Sequence, residues 1–317
     1  MGRLVRRARF PRAAHAVALA LAALFGRERP LAAQANVPQY RGDYGITSGT
    51  LPSPGLRFGA AYNNYRADEA RGRDRTSFPA VKPTINTIAL ILSYTFPQPI
   101  LNGHWNALIA VPWADMAPQT VNLDLGNAWG FSDLYVQPVR LGWRFPYADL
   151  TTGFGVFMPT GRFSPNAIDN TGFGMWSFEG SVGSTGYFSR SRQMSISALL
   201  SYQSNSEQRD TDRRAGNLLT IEGGLGHTIT KDAGQFGVAY YGQWKTTFDR
   251  GFGLPPMFDA RSRTFGAGPE VRLPFPVMGF TGTATMRYFW EFGSVVATQG
   301  DSFYVFLTLF KPALPRK

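Results

Sequence analysis

From residue 55 onward, apolar and polar positions alternate with a period of two along almost the whole chain, the repeat of a strand with one apolar and one polar face. Met194, Ile196, Ala198, Leu200 and Tyr202 share one parity, and Ser195, Ser197, Ser201 and Gln203 share the other. Phe236, Val238, Tyr240 and Trp244 stand in the same way against Gly237, Ala239, Tyr241, Gln243 and Lys245. About twelve such segments can be marked, near 55–65, 84–96, 104–113, 131–145, 149–159, 174–188, 194–203, 218–229, 235–247, 263–274, 280–292 and 301–310. Short connections at 97–103, 146–148, 189–193, 230–234 and 275–279 alternate with mostly longer ones at 66–83, 114–130, 160–173, 204–217, 248–262 and 293–300.

That alternation predicts an all-β fold: a single transmembrane antiparallel β-barrel of about twelve strands, with short periplasmic turns and longer extracellular loops. A soluble sandwich has no reason to produce it. Aromatic placement is a second test, because Trp and Tyr favour the two membrane interfaces. Trp113, Trp176, Tyr202, Trp244 and Trp290 fall at the expected outer strand ends. Tyr94, Trp105, Trp143, Phe145 and Phe188 fall at the periplasmic ends.

The chain begins with Arg3, Arg6, Arg7, Arg9 and Arg12, then a thirteen-residue, mostly apolar stretch from Ala13 to Phe25, then Ala33-Gln34-Ala35. This layout is that of a cleaved signal peptide over 1–35, and the apolar stretch is too short to span a bilayer. Cleavage would remove seven basic residues and one acidic one, lowering the net charge from +11 to +5. Much of the basic character is therefore targeting, and nucleic acid is not an expected partner. An irregular, Pro- and Gly-containing segment over 36–54 precedes the first strand and is a possible plug. The barrel is expected over 55–310, with a short tail over 311–317.

Candidate chemistry is sparse. Cysteine is absent, which removes disulfides and thiolate catalysis. After removal of the leader the histidines are His104 and His227, neither in a motif, so a triad or a His-based metal site is hard to assemble. Asn122 to Asn127 is oxygen-rich but lacks the spacing of a Ca²⁺ loop, and Gly223-Gly224-Leu225-Gly226 lies within a strand pattern with no helix after it. No catalytic residue, metal or cofactor is expected. The informative side chains are polar ones whose parity turns them into the lumen: Glu179, Glu222, Gln243, Lys245, Glu270, Arg272, Arg287 and Glu291. Tyr241, Tyr304 and Phe306 accompany them. This mixed-sign set can be a constriction contacting a permeant, or a network of ion pairs that braces a narrow lumen. Arg140 resists placement because Pro138 invites a bulge that resets the parity.

A series of strings in order carries a resemblance: Pro54-Gly55-Leu56-Arg57-Phe58, Ser132-Asp133-Leu134-Tyr135-Val136-Gln137-Pro138, Tyr147-Ala148-Asp149-Leu150, Pro159-Thr160-Gly161-Arg162-Phe163, Asp169-Asn170-Thr171-Gly172, Leu219-Thr220-Ile221-Glu222-Gly223-Gly224, Gly242-Gln243-Trp244-Lys245, Gly268-Pro269-Glu270-Val271 and Arg287-Tyr288-Phe289-Trp290-Glu291. Spread over about 52–310, they resemble the outer-membrane family named for the meta-pathway of phenol degradation. The resemblance implies an outer-membrane channel that takes up small hydrophobic or aromatic compounds by passive diffusion, and no catalytic residues. Expected partners are outer-membrane lipid, the permeants, and the barrel-assembly machinery during biogenesis. The alternative is a structural or surface-interaction barrel whose lumen is closed by ion pairs.

Overall fold

The structure is a computed structural model that describes residues 41–78, 84–115, 129–165, 167, 170–230, 234–251, 261–277 and 279–313. The expected leader, the loop around Asn122 to Asn127 and the last four residues lie outside this description. Period-two patterning becomes strand throughout: β1 (Gly55–Arg71), β2 (Ser77–Phe78), β3 (Thr84–Ile100), β4 (Gly103–Asp115), β5 (Gly130–Phe131), β6 (Leu134–Arg144) and β7 (Ala148–Met158). The second half holds β8 (Ser177–Tyr187), β9 (Met194–Asn205), β10 (Leu218–Thr230), β11 (Gly234–Lys245), β12 (Arg263–Val277), β13 (Phe280–Val295) and β14 (Ala297–Pro312). β2 and β5 are two-residue pieces beside β1 and β4. The other twelve pair antiparallel in chain order. β14 returns to β1 in a register running from Gly55 opposite Pro312 to Arg71 opposite Ala297, so the sheet closes and leaves no open edge.

Apolar parity points outward and polar parity inward. On β9, Met194, Ile196, Leu200 and Tyr202 are exposed, while Ser195, Ser197, Ser201 and Gln203 are buried. This inversion of a soluble core is what a lipid-facing barrel requires. Aromatic side chains ring both ends. Trp176, Tyr202 and Trp290 are exposed near the outer rim, and Phe145, Tyr147 and Phe188 near the periplasmic one. At the periplasmic end Trp105 stacks on Phe96 at 4.2 Å between centroids and donates its indole N–H to the Pro138 carbonyl. Trp143 donates to the carbonyl of Leu101. That contact holds the tight β3–β4 turn, where Leu101 and Asn102 both have positive φ, as a two-residue hairpin turn of the primed type demands.

Three details depart from the pattern. Pro138 does reset the parity: pairing shifts between Val136 and Val139 on one side of β6 and between Asn106 and Leu108 on β4. Gln137 and Arg140 consequently both point inward, at 2% and 5% exposure. The expected final outer loop at 293–300 is instead a strand tip, with only Val296 between β13 and β14. There the two strands stop pairing with each other beyond Trp290 opposite Asp301, and each stays paired to its outer neighbour. Side chains bridge the gap: Glu291 accepts the Gly300 N–H and Gln299 accepts the Ser294 N–H. Finally, β1 continues six residues past the expected end at 65.

Residues 41–54 belong to no barrel strand. They include one turn of 3₁₀ helix, Gly45–Thr47, and they pack against inward-facing side chains. Ile46, Ala239, Tyr241, Phe289 and Tyr304 form one buried apolar cluster, with Phe306 against it. Gly45 has φ +59, and a Cβ there would collide with Glu270 and Arg287. Only glycine meets both the backbone and the space requirement.

Candidate functional site in the barrel lumen

The inward charges on β10 to β13 are not scattered. Arg287 donates from Nε to Glu270 Oε2 at 2.8 Å, both side chains being at most 2% exposed. Arg272 lies 3.7 Å from the other Glu270 oxygen. Glu291 gathers four donors: Arg41 Nη1 and the Tyr241 hydroxyl at 2.7 Å each, the Tyr65 hydroxyl at 2.9 Å, and the Gly300 N–H at 3.1 Å. Gln243 accepts from Arg41 Nε at 3.0 Å and donates to Thr220.

The same set grips the backbone of residues 41–51. Glu222 accepts the Tyr44 N–H at 2.9 Å and Glu270 accepts the Ile46 N–H at 3.0 Å. Arg287 and the Tyr304 hydroxyl donate to the carbonyls of Gly42 and Arg41. Arg272 donates to the Thr47 hydroxyl, Arg140 to the Ser48 carbonyl at 2.6 Å, and Arg144 to the Leu51 carbonyl at 2.9 Å. Thr50 donates to Asp149 at 3.1 Å. The order of these anchors follows the strands downward: Gln243 and Glu291 lie near the outer ends of β11 and β13, Glu270 lies at mid-strand, and Arg144 and Asp149 lie at the periplasmic ends of β6 and β7. The segment therefore descends through the lumen before joining β1. A non-strand backbone at membrane depth needs such partners, because an unsatisfied buried amide or carbonyl is costly.

Seven of the nine expected residues thus belong to one assembly: Glu222, Tyr241, Gln243, Glu270, Arg272, Arg287 and Glu291. Glu179 stands apart on β8, accepting from the Tyr135 hydroxyl at 3.1 Å. Lys245 sits at the outer rim in a two-pronged pair with Asp249, both oxygens at 2.8 Å, and so holds the following loop. Sequence reading missed Arg41, Tyr44, Arg140 and Asp149 as parts of this assembly. One signal for Arg41 was present: four inward glutamates on β8, β10, β12 and β13 outnumber the inward cations within reach.

The lumen is not filled. A cavity of about 120 Å³ remains between residues 41–54 and the wall formed by β1, β3, β4, β6 to β10 and β14. Ala61, Ile91, Pro112, Phe157 and Phe306 are among its apolar lining residues, and Asp43, Asp133, Glu179 and Glu222 are its acidic ones. Asp43 lies on the inner segment rather than on a spanning strand. Burial pushes its carboxyl up to about 6, against the opposing pull of Arg287. Outside the membrane-spanning strands, Asp133 accepts the N–H groups of Gly161 and Phe173 at 2.9 and 2.8 Å, tying the 160–173 connection to the base of β6. Among the described residues no group of His, Cys, Asp and Glu is arranged to hold a metal. His104 contacts the Phe96 carbonyl and His227 the Phe236 ring.

Residues 66–306 match the family described as "Putative MetA-pathway of phenol degradation". The chain belongs to this family. No curated protein matches its sequence. Among solved structures, the COG4313 outer membrane channel from Pseudomonas putida F1 superposes with a TM-score of 0.71 at 14% identity, over 86% of this chain and 99% of that one. The TodX monoaromatic hydrocarbon channel deltaS2 mutant gives 0.42 at 10% identity, over 86% and 96% of the two chains, a likeness too loose to carry an argument. Within the family, this member is an outer-membrane β-barrel: it is closed, girdled by aromatics and apolar toward lipid.

Proposed function

We propose that this barrel is a passive channel, not an enzyme, for small hydrophobic or aromatic compounds, with residues 41–54 acting as a plug that narrows the path to the cavity beside it. The observation that carries this reading is the cavity itself: about 120 Å³, lined mostly by apolar and aromatic residues with a few acidic groups among them. An engineered apolar cavity of ~150 Å³ in another protein is known to hold benzene, so one small ring is the scale of this one. Binding sites for small molecules share this make-up, a mostly apolar lining with a few placed polar groups. Family membership supports the same direction.

The competing reading, a closed structural barrel, draws on the Glu270–Arg287 and Arg41–Glu291 pairs. The two differ in what crosses the membrane. Cells with an intact lipopolysaccharide layer, expressing the mature chain or an empty vector, would be given a labelled neutral single-ring compound. A channel raises the initial uptake rate severalfold. Equal rates in the two strains would favour the structural barrel.

A further inference from the structure

The charge of the cavity lining is one-sided. Asp43, Asp133, Glu179 and Glu222 line it, and among the described residues no lysine, arginine or histidine does. Two guanidinium groups act on lining residues, Arg287 on Asp43 and Arg140 on Tyr44, while held by other partners. Arg287 is spent on Glu270 and the Gly42 carbonyl, and Arg140 on the Ser48 carbonyl and the face of the Tyr44 ring, 4.5 Å away. Asp133 is satisfied by two backbone N–H groups. Asp43, by contrast, faces the cavity and makes no hydrogen bond to a described residue. A second, independent feature marks the same space: Thr87, 4% exposed, lines it with a hydroxyl oxygen that has no partner. Ile91, Phe157 and Phe306, and the rings of Tyr44, Tyr135 and Tyr304, complete the lining.

Resting on the channel reading above, we propose that this cavity selects single-ring compounds bearing a cationic nitrogen and turns away aromatic carboxylates. The ring lies against the apolar wall while the ammonium group meets Asp43 and Glu222. Charge-assisted hydrogen bonds are roughly twice as strong as neutral ones, and tyrosine faces add attraction for a cation. A carboxylate in the same place meets acidic side chains and no basic one in the lining, and in a lumen of low dielectric charges of like sign repel strongly.

The test uses the intact mature chain in planar bilayers, with benzylammonium, benzyl alcohol or benzoate added to one side. These three share a ring and differ in charge. The half-blocking concentration is expected to be at least tenfold lower for benzylammonium than for benzoate, with benzyl alcohol between them. Asp43→Asn should shrink that ratio severalfold without disturbing the fold, since the side chain holds nothing in place. Glu222→Gln keeps an acceptor for the Tyr44 N–H and should shrink it too. Retained heat-modifiable gel mobility certifies that both variants are folded barrels. Benzoate blocking as well as benzylammonium, or a ratio unchanged in both folded variants, overturns the proposal. Benzyl alcohol separates the two levels. If it blocks and charge makes no difference, selectivity fails and the channel stands; if none of the three acts, both fail.

Discussion

Arg41→Gln is the substitution that most directly tests how the inner segment is held. Its guanidinium lies 2.7 Å from a Glu291 oxygen, with side-chain exposures of 27% and 1%. At an effective dielectric near 20, two unit charges ~4 Å apart attract by about 4 kcal/mol before costs. Breaking a fully buried pair costs roughly 3–5 kcal/mol, because a bare charge is left behind. Here the loss is smaller. Glu291 keeps its three other donors, from Tyr241, Tyr65 and Gly300, and Arg41 is partly hydrated in the parent. A net loss of about 2 kcal/mol follows, or roughly thirtyfold in the undocked population of residues 41–54. The chain contains no cysteine, so Ser48→Cys, at a fully buried position, provides a clean probe. Its reaction rate with a charged thiol reagent reports how often the segment leaves the lumen. Arg41→Gln should raise that rate about thirtyfold and Glu291→Gln by a similar factor. The double variant should add little to either, as for two partners in one interaction. Rates equal to the parent's, or effects of the two substitutions that multiply fully, would refute the latch.

Three further outcomes follow. Gly45→Ala forces a left-handed conformation that costs roughly 1–2 kcal/mol for an L-residue and pushes a methyl into Glu270 and Arg287, so labelling of the Ser48→Cys probe should rise at least tenfold. Val238→Arg, at an exposed position midway along β11, should destabilise the folded barrel in phospholipid bilayers by ~2–4 kcal/mol, read from urea titrations. Block by benzylammonium should strengthen as pH rises from 5 to 7.5. Asp43, with its carboxyl near 6, is protonated at the low end and charged at the high end, facing Arg287, Glu222 and Tyr304; block by benzyl alcohol should not change over that range.

The barrel was legible in the sequence because its pattern is local. Each strand carries its own alternation, and Trp105, Trp143, Trp176 and Trp290 mark where strands meet the interfaces. The inward parity of Glu222, Glu270, Arg287 and Glu291 was legible for the same reason. Their partners were not. Arg41 reaches Glu291 across 250 positions and Ile46 reaches Glu270 across 224, and a segment without strand or helix periodicity gives no sign of the direction its backbone groups face. The tip at 293–300 reads as a connection between two alternating segments; pairing with outer neighbours and the bridge from Glu291 keep it in the wall. Lys245 is inward by parity and is buried, and its partner Asp249, four residues on, lies in a loop that carries no parity.

The central claim, a channel narrowed by its own N-terminal segment, is met most directly by single-channel recording of the mature chain beside a variant lacking residues 36–51. The account predicts small conductance steps from the mature chain, blocked by a single-ring compound, and larger, steadier steps from the shortened one. A shortened barrel that is folded yet never conducts, and a mature chain indifferent to every ring offered, would contradict it.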